Sequence, residues 1–559
     1  MKVVIIGGVA GGATAAARIR RLDEKAEIVI FERSGYISYA NCGLPYYIGG
    51  VIGDREDLTL QTPESFGRRF RVDARVYHEV TDISPEKKTV TVRNLQTGEV
   101  FCENYDKLLL SPGAKPVIPD YAKGKEDCFF TLRTVEDTLR IREYIEEKNP
   151  KNAVIIGGGF IGLEMVENLH EQGIAVTIIQ RSHQLLNILD GDMASFLHAK
   201  CRANGVRILF GVNVTDIRKN TVDTDRLPPI QTDMIILAIG VTPENNLAGK
   251  AGLLFGMKGA IAVNDRMETS VPDIYAVGDA VEIRHFITKN KAVITLAGPA
   301  NKQGRIAANN ICGLESHYQG SLGSSVIKMF DMTVAATGLN EKAVKAAGFD
   351  YEKIILSPSS HAGYYPDAKV MTMKILYEKK TLRLLGAQIV GSDGVDKRID
   401  VLATAIFSGL SADELQHLDL AYAPPYSSAK DPVNMAGFII DNIENGIVKQ
   451  FHYEDIEPLR GRDDVILLDT RTPMEYMRGH AKGFIHIPVD NLRERLHELD
   501  PQKPVYVMCQ SGLRSYIATR ILTQNGFDAY NFSGGYRFYQ SITSDKVASE
   551  EAFPCGMEK

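Results

Sequence analysis

The chain has 559 residues, enough for about three or four domains, and its hydrophobic and charged fractions, 44% and 24%, are those of a globular protein. Its net charge of −6 gives no indication of nucleic-acid binding, and apolar runs such as Met234–Ile239 are far too short to cross a bilayer. The seven cysteines are scattered and form no CxxC pair, which favours thiol chemistry in a reducing cytoplasm over a disulfide scaffold or a zinc site.

The first predicted elements form a nucleotide site. An apolar strand at Val3–Ile6 leads through a glycine-rich turn into a helix at Ala13–Leu22, and the next strand, Ile28–Phe31, ends in Glu32. This order, with an acid where it can meet a ribose hydroxyl, predicts a dinucleotide site, although Val9 replaces the second glycine of G-x-G-x-x-G. Because the chain runs from this strand directly into the glycine turn, we expect no signal peptide.

The helix after this turn carries basic residues on one face. Thr14, Arg18 and Arg21 are four and three residues apart, and Arg71 adds positive charge later in the chain. Two interpretations stay open. The face is either an ordinary solvated surface, or an anion site near Cys42 that would suit a phosphate-rich substrate.

A solitary cysteine, Cys42, follows this βαβ unit. No second cysteine is close in sequence, so a local disulfide is excluded, and we expect a helix to begin at this point. A free cysteine is usually a small buried apolar residue. Its place directly after a dinucleotide loop instead favours a reactive thiolate, which the N-terminus of a helix would stabilise.

A second nucleotide site follows, with an intact G-x-G-x-x-G pattern. Strand Ala153–Ile156 leads through Gly157–Gly162 into a helix at Leu163–Gln172, and strand Ala175–Ile179 runs into Gln180-Arg181. A neutral residue followed by arginine weakens discrimination against the 2′-phosphate of NADP, so both nicotinamide coenzymes remain open. Two nucleotide loops in one chain indicate two dinucleotides.

Other strand ends add polar groups. One strand leads into the turn Ser111-Pro112-Gly113, another spans Thr232–Gly240, and a third ends in Gly278-Asp279 at the start of a helix. A carboxylate at Asp279 can bind the ribityl hydroxyls of a flavin. The alternative is an ordinary turn in which the aspartate caps the helix.

A third region carries strands at Ser325–Ala336 and Val370–Tyr377 and a helix at Asp393–Ser408. It also contains two segments rich in tyrosine and proline, one around Tyr364 and one around Tyr422. Such segments are either packed loops or part of an interface, because tyrosine serves in both.

The C-terminal region shows a small α/β pattern after an expected linker that includes Phe451–Glu457. Strand Val505–Met508 leads into a loop with Cys509 and Arg514, followed by a helix at Tyr516–Asn525. A cysteine between a strand and a helix N-terminus, with an arginine five residues on, predicts an anion-binding nucleophile. The four residues between them suit a sulfane sulfur better than the phosphate of C-x5-R phosphatases. We expect residues 543–559 to be a frayed end.

Taken together, the two glycine loops, the single Cys42 and the segment Thr269–Asp279 resemble the flavoprotein pyridine nucleotide-disulfide oxidoreductases over residues 1–440. The sequence around Cys42 is similar to their coenzyme A-disulfide reductase branch, and residues 455–545 resemble a single rhodanese domain. The resemblance implies an α/β protein with two nested Rossmann-like FAD and NAD(P) domains, an α+β dimerisation domain and a C-terminal rhodanese-like α/β domain. The implied bounds are 1–112 with 246–324 for FAD, 113–245 for NAD(P), 325–445 for dimerisation, 446–454 for a linker and 455–545 for the rhodanese-like domain.

The resemblance also implies roles for individual residues. The FAD residues would be Gly7, Gly8, Ala10, Gly11, Gly12, Glu32, Arg33, Ser111, Pro112, Gly113, Gly278, Asp279 and Tyr422. The NAD(P) residues would be Gly157, Gly159, Phe160, Ile161, Gly162, Gln180, Arg181 and Gly240. The coenzyme A contacts would be Thr14, Arg18, Arg21, Ser38, Asn41, Arg71, Asn301 and Lys430. Two tyrosines from a partner subunit would approach Cys42; by position they are Tyr364 and Tyr422, with Tyr365 and Tyr426 as neighbouring alternatives.

These roles predict a cytoplasmic homodimeric flavoenzyme without a metal. Electrons would pass from NADH or NADPH through FAD to sulfur at Cys42, reducing coenzyme A persulfide, polysulfide or coenzyme A disulfide, and Cys509 with Arg514 would supply sulfane sulfur. Three alternatives stay open: an NADH oxidase or peroxidase that uses a cysteine sulfenic acid, a protein that is chiefly a sulfurtransferase, and a flavin-binding interaction protein.

Overall fold

The computed structural model describes residues 1–551, which divide into two compact units. The first unit comprises residues 1–183 and 205–323, and the second comprises residues 184–204 and the chain from residue 324 onward. Within the described residues, no helix combines the length and the apolar character that a membrane span requires.

The first unit is built from short strands and helices. The strands are β1 Lys2–Ile6, β2 Glu27–Phe31, β3 Asp73–Arg75, β4 His78–Ser84, β5 Thr89–Asn94, β6 Val100–Asn104, β7 Lys107–Leu110, β8 Ala114–Pro116, β9 Asn152–Ile156, β10 Ala175–Gln180, β11 Arg207–Phe210, β12 Val214–Arg218, β13 Thr221–Thr224, β14 Ile230–Gln231, β15 Met234–Leu237, β16 Val241–Pro243, β17 Ile261–Ala262, β18 Ile274–Ala276, β19 Val281–Arg284 and β20 Lys291–Ala292. The helices are α1 Ala10–Leu22, α2 Leu44–Ile48, α3 Pro63–Phe70, α4 Val135–Lys148, α5 Phe160–Glu171, then α6 Gly191–Ala203, which belongs to the second unit, and α7 Asn246–Lys250 and α8 Ala297–Ile311.

The remaining elements all belong to the second unit. The strands are β21 Ser325–Met329, β22 Met332–Gly338, β23 Tyr351–Leu356, β24 Thr372–Glu378, β25 Leu384–Gly391, β26 Lys449–Phe451, β27 Ile466–Asp469, β28 Ile485–His486, β29 Val505–Met508 and β30 Ala529–Phe532. The helices are α9 Glu341–Ala346, α10 Val395–Ser408, α11 Pro432–Glu444, α12 Tyr453–Leu459, α13 Pro473–Met477, α14 Leu513–Gln524 and α15 Gly535–Glu551.

Two parallel sheets form the core of the first unit. Their strand orders are β18-β7-β1-β2-β3 and β11-β10-β9-β15. The central strands are runs of Val, Ile and Leu that are buried on both faces, as parallel sheets covered by helices require. Parallel pairing collects the carboxyl ends of these strands at one edge of each sheet, where ligands of α/β proteins bind. The predicted α/β class is confirmed.

The helices that follow the glycine turns begin earlier than predicted. α1 and α5 start at Ala10 and Phe160, three residues before the predicted starts at Ala13 and Leu163. Glycine is a poor helix former, so the turn was expected to continue through Gly12. In the structure Gly12 lies in the first turn of α1. Only glycine fits at this position, because a Cβ there would lie 1.9 Å from the carbonyl oxygen of Gly7.

An antiparallel sheet of order β21-β22-β25-β24-β23 lies in the second unit. The single strand predicted at Ser325–Ala336 is wrong, because β21 and β22 are the two arms of a hairpin that pair from Met329 with Met332 outward. The apolar run hides the turn between them, where Phe330 has a φ of 58°.

The C-terminal sheet has the order β26-β30-β29-β27-β28 and is parallel throughout. The linker predicted at 446–454 and at Phe451–Glu457 is wrong: β26 is an edge strand of this sheet, and α12 follows it. Phe451 is buried in the core of the sheet, which fixes the segment. The tail prediction is also wrong for residues 543–551, which continue α15. Residues 552–559, including Cys555, lie outside the described residues.

Within the second unit, the C-terminal sheet is attached to the free edge of the antiparallel sheet. The backbone N–H of Ile355 in β23 donates to Ser533 Oγ at 2.9 Å, and the Gln450 side chain donates to the Lys353 carbonyl at 2.8 Å. On α15, Asp545 forms a hydrogen-bonded ion pair with Arg202 of α6. These contacts use backbone groups that an exposed edge strand would leave unpaired.

Candidate active sites

The first site lies at the carboxyl ends of β1, β2, β7 and β18. The turn after β1 is held tightly, because a Cβ at Gly7 would lie 2.1 Å from the Ser111 carbonyl oxygen. Glu32 ends β2, and Gly278 and Asp279 follow β18. Arg33 is exposed beside Glu32. The structure therefore brings together Gly7, Gly8, Ala10, Gly11, Gly12, Glu32, Ser111, Pro112, Gly113, Gly278 and Asp279, whereas Tyr422 belongs to the other unit.

The Glu32 carboxylate is fixed by backbone donors. It accepts hydrogen bonds from the N–H groups of Gly8 at 2.9 Å and Ser34 at 3.0 Å. Burial raises the pKa of Glu32, and these two donors oppose the rise. A carboxylate fixed at this position can accept hydrogen bonds from a ribose.

Two residues that sequence reasoning missed organise the other side of this site. Arg133 Nη2 donates to Asp279 Oδ2 at 2.8 Å, and the Gly278 N–H donates to Gln303 Oε1 at 2.7 Å. Arg133 is 146 residues from Asp279 in sequence. No local sequence signal marks it, because the contact depends on the tertiary fold.

The second nucleotide site has the same construction at the ends of β9, β10 and β15. A Cβ at Gly162 would lie 2.0 Å from the Gly157 carbonyl oxygen, so the turn must pack closely. Gln180 Oε1 accepts the Gly158 N–H at 2.9 Å, as Glu32 accepts that of Gly8, and Gln180 Nε2 donates to Ser182 Oγ at 2.7 Å. The other predicted residues here are Gly159 at the start of α5, Phe160 and Ile161 in its first turn, and Arg181 and Gly240, which are exposed.

Both sites fit a dinucleotide. Within the described part of the chain, no side chain caps the first turn of α1 or α5, and neither turn contains an acidic residue. Their N–H groups are therefore available to phosphate oxygens. The residues fit FAD in the first site, with Glu32 and Asp279, and a nicotinamide dinucleotide in the second, with Gln180.

Cys42 is exposed, and a helix begins here as predicted, but it is short and does not lower the pKa of the thiol. The residue lies in the short 3-10 turn Asn41–Gly43, and α2, which follows, has only five residues. Partial burial of the sulfur raises the pKa of the Cys42 thiol, the carboxylates of Glu164 and Asp279 raise it further, and Arg133 opposes them. The expected lowering of this pKa is therefore wrong for the polypeptide itself. The same charges show that Cys42 lies near the Arg133–Asp279 pair of the first site.

The predicted coenzyme A residues lie partly along the contact between α1 and α8. Thr14 Oγ1 donates to Asn301 Oδ1 at 2.5 Å, and Arg18 Nε donates to Asn309 Oδ1 at 2.9 Å. Burial and the charges of Arg305 and Arg21 lower the pKa of Arg18. Sequence reasoning missed Arg305 and Asn309, although they repeat the position of Asn301 at intervals of four residues along α8.

The other residues assigned to coenzyme A are more scattered. Ser38 has a φ of 45° and its N–H donates to the Gly8 carbonyl, while Asn41 lies beside Cys42. Arg71 is exposed and paired with Glu24 at 3.2 Å. Lys430 is exposed and belongs to the second unit, so the structure does not bring it together with the others.

The two tyrosines assigned to the partner subunit form a pair. The Tyr364 and Tyr422 hydroxyls are 2.6 Å apart, and both side chains are exposed. The hydrogen bond with Tyr364 raises the pKa of Tyr422, so its hydroxyl keeps its proton. Tyr365 instead packs edge-on against His361.

The Cys509 site occupies the loop between β29 and α14. The Cys509 side chain is buried, and its Sγ accepts hydrogen bonds from the Gly512 N–H at 3.1 Å and Ser515 Oγ at 3.2 Å. Gly512 has a φ of 102°, which turns its N–H toward the sulfur. α14 begins at Leu513, three residues before the predicted Tyr516.

Two ion pairs surround this loop. Arg514 binds both oxygens of Glu475 at 2.7 Å, and these hydrogen bonds lower the pKa of Glu475 to about 2. Arg471 binds both oxygens of Asp469 and lies 3.8 Å over the ring of Tyr536. Sequence reasoning gave Glu475 no role.

Among residues 1–551, no cluster of three His, Cys, Asp or Glu side chains is placed to hold a metal ion.

Comparison with known proteins gives three domain matches. Residues 1–304 match the pyridine nucleotide-disulphide oxidoreductase family, residues 324–432 its dimerisation domain, and residues 453–541 the rhodanese-like domain. A coenzyme A disulfide reductase of Staphylococcus epidermidis is 37% identical over 438 residues, which are 78% of this chain and 99% of that protein.

Two solved structures are similar over nearly the whole chain. The reduced Bacillus anthracis CoADR-RHD is 48% identical with a TM-score of 0.95, over 97% of this chain and 98% of that one. A NAD-dependent persulfide reductase from A. fulgidus is 37% identical with a TM-score of 0.90, over 96% of this chain and 100% of that one.

Proposed function

Because this chain belongs to the pyridine nucleotide-disulphide oxidoreductases, we propose that it passes electrons from NAD(P)H through FAD to sulfur at Cys42. The substrates are coenzyme A persulfide, polysulfide and coenzyme A disulfide, and the rhodanese-like domain supplies sulfane sulfur through Cys509. The observation that carries this proposal is the place of Cys42: it is exposed, and it lies near the Arg133–Asp279 pair of the site that fits FAD.

When bound, the flavin and the nicotinamide supply two-electron transfer. The chain's own residues bind and orient these groups: Glu32 and Asp279 in the first cradle, and Gln180 in the second. Cys42, as thiolate, attacks a disulfide or persulfide sulfur and takes the substrate as a covalent adduct. The cationic group of Arg18, Arg21 and Arg305 neutralises the phosphates of coenzyme A.

The departing thiolate needs a proton. The paired hydroxyls of Tyr364 and Tyr422 of the partner subunit supply it; the two oxygens are 2.6 Å apart and both side chains are exposed. This role rests on the resemblance and on the tyrosine pair itself.

Cys509 takes up sulfane sulfur as a persulfide and passes it to coenzyme A, whose flexible arm delivers it to Cys42. The two hydrogen bonds to its Sγ support this role, since they stabilise the anionic sulfur that the reaction requires. Arg514 is assigned to the same site.

The assembly and domain bounds are part of the proposal. Residues 325–445 form the dimerisation domain of a homodimer, which the dimerisation-domain match supports. The FAD domain comprises 1–112 and 246–324, the NAD(P) domain 113–245, and the rhodanese-like domain 455–545, preceded by β26. Scattered free thiols favour the cytoplasm as its location.

The test is rapid mixing of the reduced, FAD-loaded protein with coenzyme A persulfide, following flavin reoxidation and hydrosulfide release. Cys42→Ser should slow both at least a hundredfold, because the adduct cannot form, while Cys509→Ala should leave both within about twofold when the persulfide is supplied directly. Cys102→Ser, which changes an exposed cysteine on β6 of the first unit, is the control.

The rival functions predict other outcomes. A Cys42→Ser protein that reoxidises its flavin at the parent rate with hydrosulfide release contradicts the proposal. Steady turnover on oxygen or peroxide, unaffected by Cys509→Ala, would favour an oxidase or peroxidase. Full thiosulfate-to-cyanide transfer in Cys42→Ser without NAD(P)H would favour a protein that is chiefly a sulfurtransferase.

A further inference from the structure

The arginine of the Cys509 loop has its positive charge already compensated. Both Nη atoms of Arg514 bind the Glu475 carboxylate at 2.7 Å, and in the described part of the chain its side chain forms no other hydrogen bond or ion pair. This inference rests on the sulfurtransferase role proposed for Cys509.

Glu475 is itself held in place. It is the third residue of α13 and closes a capping box with Thr472, whose N–H and Oγ1 donate to Glu475 Oε2 at 2.9 and 2.8 Å. A carboxylate fixed by its own helix cannot readily swing away from Arg514 when an anion arrives. The guanidinium is therefore not free to form the bidentate bonds that a dianion would need.

A second arginine beside the loop, Arg471, is no more available. Arg471 is buried and bound to both oxygens of Asp469, and its other bonds go to Gln510 and to backbone carbonyls. Arg537 of α15 instead lies against α6, 5.7 Å from the ring centre of Phe196, and its buried Nε has no hydrogen-bond partner among the described residues. The groups that donate to the Cys509 sulfur are thus neutral: the Gly512 N–H and the Ser515 hydroxyl.

We propose that Glu475 is a specificity-determining residue that makes the Cys509 loop select persulfides of thiols over thiosulfate. With a persulfide, R–S–S⁻ and Cys509–S⁻ give R–S⁻ and Cys509–S–S⁻. One S–S bond breaks, one forms, and the site carries two negative charges throughout. With thiosulfate the leaving group is sulfite, and the site must carry three negative charges while its arginine is neutralised. The buried position of Cys509 adds to this preference, since the trailing sulfonate would have to be desolvated.

The experiment compares two donors in the full-length, FAD-loaded protein with NAD(P)H omitted, so that Cys42 does not turn over. The donors are pantetheine persulfide, whose tail is uncharged, and thiosulfate, with cyanide as the common acceptor and thiocyanate as the readout. Rates from a Cys509→Ala protein are subtracted as background. The parent should use the persulfide at least a hundredfold more efficiently, as kcat/KM.

Glu475→Gln should raise the thiosulfate rate at least tenfold and change the persulfide rate less than about threefold, because Gln keeps the capping bond but frees the arginine's charge. Glu475→Asp, which keeps the charge with a shorter side chain, should retain the parent preference. Glu498→Gln is the matched control, since Glu498 binds Arg495 through both oxygens at 2.6 and 2.7 Å away from the loop.

A parent that uses both donors equally, or a donor ratio that Glu475→Gln leaves unchanged, overturns the inference. A parent inactive with both donors overturns instead the sulfurtransferase role on which it rests. If Glu475→Gln does not fold, an inhibition measurement on the parent protein still tests the inference. Sulfate at about tenfold excess over the persulfide should slow persulfide transfer less than twofold, because Arg514 is not free to bind it. Strong inhibition by sulfate contradicts the inference.

Discussion

At the residue scale, Cys42 sits in surroundings that oppose its ionisation. Two carboxylates, Glu164 and Asp279, raise the pKa of the thiol in addition to its partial burial, and only Arg133 acts against them. Burial and the neighbouring Glu167 raise the pKa of Glu164 itself to about 7. Near neutral pH the charge of Glu164 therefore changes, and the thiolate fraction of Cys42 changes with it.

Replacing Glu164 with glutamine tests this electrostatic link. Because a nearby negative charge favours the protonated thiol, Glu164→Gln should lower the pKa of Cys42. The measurement is the pH dependence of iodoacetamide alkylation of Cys42 in the reduced, FAD-loaded protein. Glu171→Gln, at the exposed end of α5, should leave the midpoint unchanged. A midpoint that stays in place or rises in Glu164→Gln would show that the carboxylate does not act on the sulfur.

The reacting residues were predictable from sequence, but their partners were not. Cys42, Cys509 and Arg514 are marked by local spacing relative to strands and glycine turns. Arg133 and Glu475 are brought to these sites by the tertiary fold, 146 and 39 residues from their partners. The wrong direction for the pKa of Cys42 has the same origin, since it was argued from a local helix, whereas burial of the sulfur in the fold and then the distant carboxylates raise this pKa.

At the element scale, the residue proposed to govern the coenzyme preference lies at the end of β10. Gln180 occupies the place that Glu32 has in the first site and accepts the same backbone N–H, but it carries no negative charge to repel a 2′-phosphate. Gln180→Glu should therefore raise the KM for NADPH at least tenfold and change that for NADH less than threefold. Gln231→Glu, exposed on β14, is the control. The measurement is steady-state kinetics with each coenzyme. Equal changes in the KM values for NADH and NADPH would refute the role given to Gln180.

Element boundaries were least predictable where glycine or a short apolar segment is involved. α1 and α5 each begin three residues early, because glycines that look like turn residues fit inside a first helical turn that packs closely, and α14 begins three residues early directly after its N-cap residue Gly512. The supposed linker contains β26, whose three residues are too few to show a strand period but pair with β30. Tertiary pairing, not local propensity, makes this segment a strand.

At the scale of the whole molecule, each unit contains one of the two reactive cysteines. In the second unit, the Cys509 sheet is fixed to β23 through Ser533 and Gln450, so no flexible tether joins it to the antiparallel sheet. Within this unit, the Cys509 loop is therefore not carried on a tethered domain. The order of domains was readable from the motifs, but this rigid attachment was not, because it depends on side chains from distant segments.

The account depends above all on Cys42 taking its substrate as a covalent adduct. The most direct measurement is mass spectrometry of the Cys42 peptide after the FAD-loaded protein, without NAD(P)H, has met coenzyme A disulfide. We predict that this peptide gains one coenzyme A in mixed disulfide linkage and loses it when NADH or NADPH is added. A Cys42 peptide that stays unmodified while the same preparation reduces coenzyme A disulfide would contradict the account.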